Sequence, residues 1–350
     1  MKQDNHIEYI YSQLPALLLP WYEANKRDLP WRKDKDPYHI WVSEIMLQQT
    51  RVEAVKGYYQ RFLLALPTIA DLANADDELL YKLWEGLGYY SRVRNLKKAA
   101  QRIVEDHSGV FPTEYDAVLS LPGIGVYTAG AICSIAFNQK VPAVDGNVMR
   151  VISRLTDDAT PVDAESYKQK VRSNLTQIYP VNAGAFTQAL MELGATLCGP
   201  NQKPNCEECP CREICLSRKN GTQEIRPVKQ PKRKRRVEEK TVFILSCDGY
   251  YALTKRPAQG LLASMWEWPN VEGTQAVAEA LHSVEEYGLQ PGELLKQIDR
   301  EHIFTHVQWL MRGYYIKVKE RQGDFTWMTL EEIDSYAALP TAFRQFRKGI

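Results

Sequence analysis

Two carboxylates, a cysteine-rich loop and a glycine-bearing turn are the parts of this 350-residue sequence whose residue types and spacing can do chemistry. Glu44 lies in a stretch, 37–64, whose spacing predicts one long helix, with Asp36 as its cap and Pro37 in its first turn. Ile40, Glu44 and Leu47 fall at i, i+4 and i+7, so the carboxyl shares an apolar face with Trp41 and Ile45 beside it. A glutamate placed there either pairs with a core arginine, or desolvation raises its pKa until it can hold a proton to donate near neutral pH. Asp145 stands where an extended segment meets a helix predicted over 148–155. It is either an N-cap or a carboxylate that the helix start keeps ionised, ready to face a developing positive charge, with Asn147 holding its geometry.

Between these two residues the sequence predicts a short helix over 114–120, the turn Leu121-Pro122-Gly123-Ile124-Gly125 and a second helix over 126–137. This reads as a helix-hairpin-helix. Gly123 and Gly125 expose the amides at the second helix's start, which together with the helix dipole suit a DNA phosphate; as a bare pattern it is also an ordinary interhelical turn. Five of the seven cysteines crowd into 18 residues. Cys198, Cys206, Cys209 and Cys215 are separated by seven, two and five residues, a compact loop that suits an iron-sulfur cluster. Structural zinc usually takes two short-spaced pairs, and here only Cys206 and Cys209 form one; Cys211 is left as a spare thiol.

The elements that must position these groups divide in two. Up to about residue 225 the apolar spacing is helical; residues 226–240 carry eight basic and two acidic residues, a local +6 against a whole-chain +1, and read as a linker. Beyond it an α+β domain is expected, with strands over 242–246, 250–254, 261–268 and 303–318, an Asp248-Gly249 hairpin turn, and helices over 275–287, 330–337 and 342–348. Length gives room for two cores, and 44% hydrophobic with 25% charged residues is ordinary globular composition. The balanced charge excludes a uniformly cationic nucleic-acid binder but permits one basic face. The apolar stretch 14–21, broken by two prolines, falls short of a membrane span, and the opening Met1-Lys2-Gln3-Asp4-Asn5-His6 lacks signal or transit-peptide character, so a cytoplasmic location is expected, on the nucleoid in a prokaryote.

Taken together, Leu-Pro-Trp-Arg at 29–32, Ser-Glu-Ile-Met-Leu-Gln-Gln-Thr at 43–50, Gly-Leu-Gly-Tyr-Tyr at 86–90, the hairpin, Val-Asp-Gly-Asn at 144–147 and the cysteine loop resemble the adenine DNA glycosylase family across nearly the whole chain. The resemblance implies an all-α helix-hairpin-helix glycosylase domain over 1–225 with one 4Fe-4S cluster on Cys198, Cys206, Cys209 and Cys215, the 226–240 linker, and a Nudix-like domain over 241–350. It implies a monomer acting on duplex DNA that removes adenine mispaired with 8-oxoguanine, or with guanine, after flipping it from the stack. Glu44 would protonate the adenine's five-membered ring and Asp145 would stabilise the oxocarbenium-like sugar. Tyr127 falls where lyase relatives such as endonuclease III carry a Schiff-base lysine, and with Asn147 it would orient Asp145 instead. Trp31, Arg32 and Gln188 are candidates for the adenine pocket; Gln49 and Tyr89 resemble residues that wedge into the stack, and Thr50 and Leu87 join them in substrate binding.

Two departures from the family pattern stand out. Leu281 and His282 occupy positions where the Nudix box has Arg and Glu, which implies recognition without hydrolysis. Phe304-Thr305-His306 matches the family's 8-oxoguanine-reading loop with Thr in place of Ser, and the gap after Cys198 is seven residues where six is usual. The competing readings are a bifunctional endonuclease III-like glycosylase/lyase, opposed by Tyr127, and a non-catalytic iron-sulfur DNA-binding redox sensor, which would need neither Glu44 nor Asp145.

Overall fold

The computed structural model describes residues 2–200, 203–231 and 234–350. Met1, Asn201 and Gln202 of the cysteine loop, and Lys232 and Arg233 of the basic segment lie outside the described residues. Packing separates the chain into two units, Met1–Asn74 with Asn95–Pro231, and Ala75–Arg94 with Lys232–Ile350.

The helices run α1 (Lys2–Asn25), a 3-10 turn at Pro30–Arg32, α2 (Pro37–Leu47), α3 (Val52–Ala65), α4 (Ile69–Asn74), α5 (Asp77–Trp84), α6 (Ser91–His107), α7 (Tyr115–Leu119), α8 (Val126–Ile135), α9 (Gly146–Leu155), α10 (Glu165–Ile178), α11 (Ala183–Thr196) and α12 (Leu216–Asn220). The cap predicted for α2 is present: the Asp36 carboxylate accepts the Tyr38 amide at 2.8 Å, and Pro37 opens the helix. The long helix expected over 37–64 is instead two, because Gln49 adopts a left-handed backbone (φ 58°) that interrupts the hydrogen-bond ladder between α2 and α3. In the first unit Leu14 and Leu18 of α1 pack with Val148 and Val151 of α9 and Phe186 and Leu190 of α11. Gly194 lets α11 pass close to α9, for a Cβ there would lie 2.6 Å from the Asn147 Cβ.

The second unit is built on strands β1 (Arg236–Cys247), β2 (Tyr250–Lys255), β3 (Trp266–Glu267), β4 (Asn270–Glu272), β5 (Pro291–Ile303), β6 (Val307–Val318) and β7 (Thr326–Thr329), with helices α13 (Val277–Glu286), α14 (Leu330–Ser335) and α15 (Thr341–Arg347). The order is β3-β2-β1-β6-β5, with β4 on β1 and β7 on β2; β1 and β6 are parallel from Arg236 opposite Val307 to Ser246 opposite Lys317, and the other pairs are antiparallel. Val242 and Ile244 pack on one face with Trp268 and Phe343, while Phe243 and Leu245 pack on the other with Val284 and Ile316. A strand covered on both faces loses polar alternation, which is why this run is continuously apolar.

Four expectations are corrected. The strand predicted over 261–268 shrinks to β3. The one predicted over 303–318 is β6 alone, preceded by a turn and by β5, whose largely exposed, charged sequence gives little strand signal. The linker predicted over 226–240 is structured at both ends: the Val228 carbonyl accepts the Val162 amide at 3.0 Å, the Gln230 amide reaches Asp163 at 3.0 Å, and residues 236–240 belong to β1. Residues 75–94, expected within the first domain, pack with the sheet instead. Among the described residues no helix is long and apolar enough to cross a membrane.

Candidate active site

A cleft of about 840 Å³ in the first unit, large enough for a nucleoside, brings together residues from four sequence motifs. Glu44 enters from α2 at only 6% exposure and accepts a hydrogen bond from the Tyr127 hydroxyl of α8. Burial pushes its carboxyl up to about 7, against the pull of Tyr127 and Arg32 and with a further push from Asp145. Burial, Glu44 and Asp145 hold the Tyr127 hydroxyl well above the ordinary tyrosine range, so it remains a donor.

Asp145 caps α9. One carboxylate oxygen accepts the Val148 amide at 2.8 Å and the other accepts Asn147 Nδ2 at 2.7 Å. Burial raises its pKa above the ordinary carboxylate value, and these two bonds and Arg150 only partly offset that rise. Of the two residues expected beside Asp145, Asn147 bonds it, whereas the Tyr127 hydroxyl bonds Glu44 instead. Arg150 was not foreseen. Its guanidinium donates to Asn147 Oδ1 at 2.7 Å, to the Gly194 carbonyl at 2.8 Å and to the Cys198 carbonyl at 2.8 Å, so one buried side chain ties the Asp145 cap to the start of the cysteine loop.

The opposite wall carries Trp31, Arg32 and Gln188, together with Glu192, which sequence reasoning missed. Trp31 stacks edge-on against Tyr59 at 5.6 Å. Glu192 accepts Arg27 Nε at 2.6 Å and Arg32 Nη2 at 2.7 Å; burial alone would raise its pKa, yet these two arginines bring it down to about 2. The signal that could have found it is the one used for Glu44, a glutamate on an apolar helix beside Ala189 and Leu193. Gln49 and Thr50 line the mouth of the same cleft.

At the hairpin Gly123 has φ 77°, and a Cβ there would strike Asn95. Gly125 has ordinary extended backbone and caps α8 with open space above it, leaving the helix start accessible. Cys198, Cys206, Cys209 and Cys215 line one cavity, whereas Cys211 is fully buried in the helical core and does not. All the cysteines are unpaired thiols. Arg154 donates to Cys198 Sγ at 3.2 Å, a cationic neighbour that suits ligating thiolates.

In the second unit, Phe304, Thr305 and His306 form the turn joining β5 to β6, closed by the Phe304 amide on the Val307 carbonyl at 2.8 Å. Phe304 packs edge-on against Trp309 at 4.8 Å, and Thr305 and His306 are exposed. Leu87 is buried, whereas Tyr89, on a left-handed backbone at φ 48°, is half-exposed. Tyr89 and Thr305, assigned separately from sequence, share a hydrogen bond of 2.9 Å between their hydroxyls.

Residues 42–177 match the HhH-GPD superfamily of base excision DNA repair proteins, and residues 241–348 match the NUDIX domain. The chain is 39% identical to an adenine DNA glycosylase of Arabidopsis thaliana, over 86% of this chain and 56% of that protein's length. It is 34% identical to the adenine DNA glycosylase of Rattus norvegicus, over 94% of this chain and 76% of the relative. A thermostable thymine-DNA glycosylase structure superposes with a TM-score of 0.53 at 28% identity, covering 62% of this chain and 99% of the other. A helical unit holding two carboxylates in one cleft, followed by a Nudix-type sheet unit, in a sequence this close to the rat and plant enzymes, places the chain in the adenine DNA glycosylase family of base-excision repair.

Proposed function

We propose that the chain hydrolyses adenine from duplex DNA where it is mispaired with 8-oxoguanine, and more slowly with guanine, leaving an intact abasic strand. The observation that carries this reading is a pair of buried carboxylates in one cleft with different partners: Glu44, desolvated and poised near neutral pH beside a tyrosine hydroxyl, and Asp145, also raised by burial but bonded to an amide and Asn147 at a helix start. Glu44 donates its proton to the five-membered ring of the flipped adenine, converting the base into a leaving group. Asp145 faces the oxocarbenium-like sugar, and water completes the exchange. Tyr127 offers no amine for an imine. Trp31, Arg32 and Gln188 form the base pocket, Gln49, Thr50, Leu87 and Tyr89 hold the opened stack, and the amides beside Gly123 and Gly125 grip a phosphate.

Cys198, Cys206, Cys209 and Cys215 would hold a 4Fe-4S cluster, which when bound supplies a covalent staple for the loop. Iron and acid-labile sulfide near four per chain are expected. Cys211→Ser retains them and Cys209→Ser does not.

Thr305 reads the opposite base. In 8-oxoguanine a ring nitrogen that is a bare acceptor in guanine becomes a donor, and the threonine oxygen accepts from it. With Leu281 and His282 in place of the Nudix box residues, the sheet unit recognises without hydrolysing. The test is base release from duplexes carrying adenine opposite 8-oxoguanine, guanine or cytosine, with borohydride trapping as the lyase readout. Release independent of the opposite base, or efficient trapping, would overturn the reading.

A further inference from the structure

Helix α5 and the turn after it sit in the sequence among the helices of the first unit, yet they are fastened to the sheet unit along their whole length. Leu80 and Trp84 are fully buried and Tyr81 nearly so. Glu78, at 7% exposure, accepts the Trp266 indole N–H of β3 at 2.8 Å and pairs with Lys255 of β2. One turn on, Lys82 donates to the Ala337 carbonyl at 3.4 Å. Glu85 then accepts the Leu339 amide at 3.1 Å, with Arg344 of α15 at 3.8 Å. At the far end Arg94 donates to the Ala263 carbonyl at 3.0 Å. A buried carboxylate such as Glu78 is costly to keep in place without partners, so its two donors fix α5 in a single register.

Beyond Glu85 the chain turns sharply. Gly86, Gly88 and Tyr89 all have positive φ, and Arg92 Nη2 holds the Leu87 and Gly88 carbonyls at 3.0 and 3.1 Å. The turn ends with the Tyr89 hydroxyl on Thr305.

We propose that Glu78 and Glu85 are positioning residues for opposite-base discrimination, holding the turn 86–90 so that Tyr89 stands against Thr305. The inference rests on the reading of Thr305 given above. Neither glutamate needs to touch DNA; each acts through the backbone of α5, which fixes where Tyr89 stands.

The test uses the full chain and two duplexes containing 2′-fluoro-deoxyadenosine, whose glycosidic bond resists cleavage, opposite 8-oxoguanine or guanine. Glu78→Leu lowers the binding preference for 8-oxoguanine roughly three- to tenfold, the size of one net hydrogen bond. Glu78→Gln, still able to accept from the Trp266 indole, stays nearer the parent. Single-turnover release of adenine opposite guanine is spared, since Glu44 and Asp145 belong to the other unit; a merely misfolded protein would lose both. Should Glu78→Leu fail to fold, Glu85→Leu, which can no longer accept the Leu339 amide, carries the same expectation. Hydrogen exchange of the amides of 86–90 then reads the loosening directly while β1 and β6 stay protected. An unchanged preference in Thr305→Val would overturn the reading of the opposite base by this loop. A reduced preference in Thr305→Val with an unchanged one in the α5 variants would overturn the proposal and leave that reading standing.

Discussion

The two walls of the cleft each bury a glutamate, and the two end in opposite states. Glu44, facing a hydroxyl and a second carboxylate, is pushed up to about 7; Glu192, facing two guanidinium groups, is held down at about 2. Both are under 7% exposed, so burial does not decide between them. The decision falls to the donors. A tyrosine O–H stabilises the ionised form less than two charged arginines do, and only the weaker arrangement leaves a proton that can be given away near neutral pH. One wall is thus built to release a proton and the other to remain fixed.

That contrast can be broken most severely at Glu44. Glu44→Gln, like Asp145→Asn across the cleft, is expected to slow single-turnover base release roughly a hundred- to ten-thousandfold while duplex affinity stays within a few fold. Near-normal excision by either variant would remove the assigned role. Next in size is the opposite wall: Glu192→Leu strands Arg27 and Arg32 without their carboxylate and should destabilise the fold by about 3 kcal/mol in urea unfolding. A cost below about 1 kcal/mol would mean the arginines find other partners.

The stability of Glu44→Gln sharpens the comparison further. Because the folded-state pKa of Glu44 lies above its ordinary value, its contribution is fully present below about pH 4 and is lost as pH rises through 7. The glutamine variant should therefore match the parent in acid and exceed it above pH 8, by up to about 3 kcal/mol from the size of the shift. A variant less stable than the parent at pH 8 contradicts the raised pKa. Tyr127→Phe gives the smallest effect. It deletes a donor that favours the ionised carboxylate, so the alkaline limb of base release should move to higher pH. A limb that moves lower would show that Tyr127 does not stabilise the carboxylate.

Much of this site was legible in the sequence, and the illegible parts share a cause. Asp36, Pro37 and Asp145 announce helix starts through local chemistry, and Asp248-Gly249 (φ 49° and 80°) announces its hairpin, because cap and turn residues act on neighbours in the chain. Glu44 was readable from helical periodicity alone. What the sequence hid depends on partners far along the chain: the Glu192 pairing reaches back 160 residues to Arg32, and α5 takes its place from Trp266, Lys255 and Leu339. The break between α2 and α3 was missed because glutamine at positive φ has no turn signature. Strand β5 was missed because an edge strand with most side chains in water need not alternate.

Left-handed backbone leaves a trace of a different kind. Most non-glycine residues at positive φ here are small and polar, among them Ser108, Asn138, Asp157 and Asp248, the types that accept this conformation most easily. Gln49, Tyr89 and Leu262 do not fit; Leu262 packs against the sheet core, whereas Gln49 and Tyr89 are exposed and are not repaid by core packing. Each costs of order 1 kcal/mol against glycine. Long side chains on strained backbone mark positions where use outweighs folding, and a screen for thermostable variants should find both replaced early, at the expense of base release.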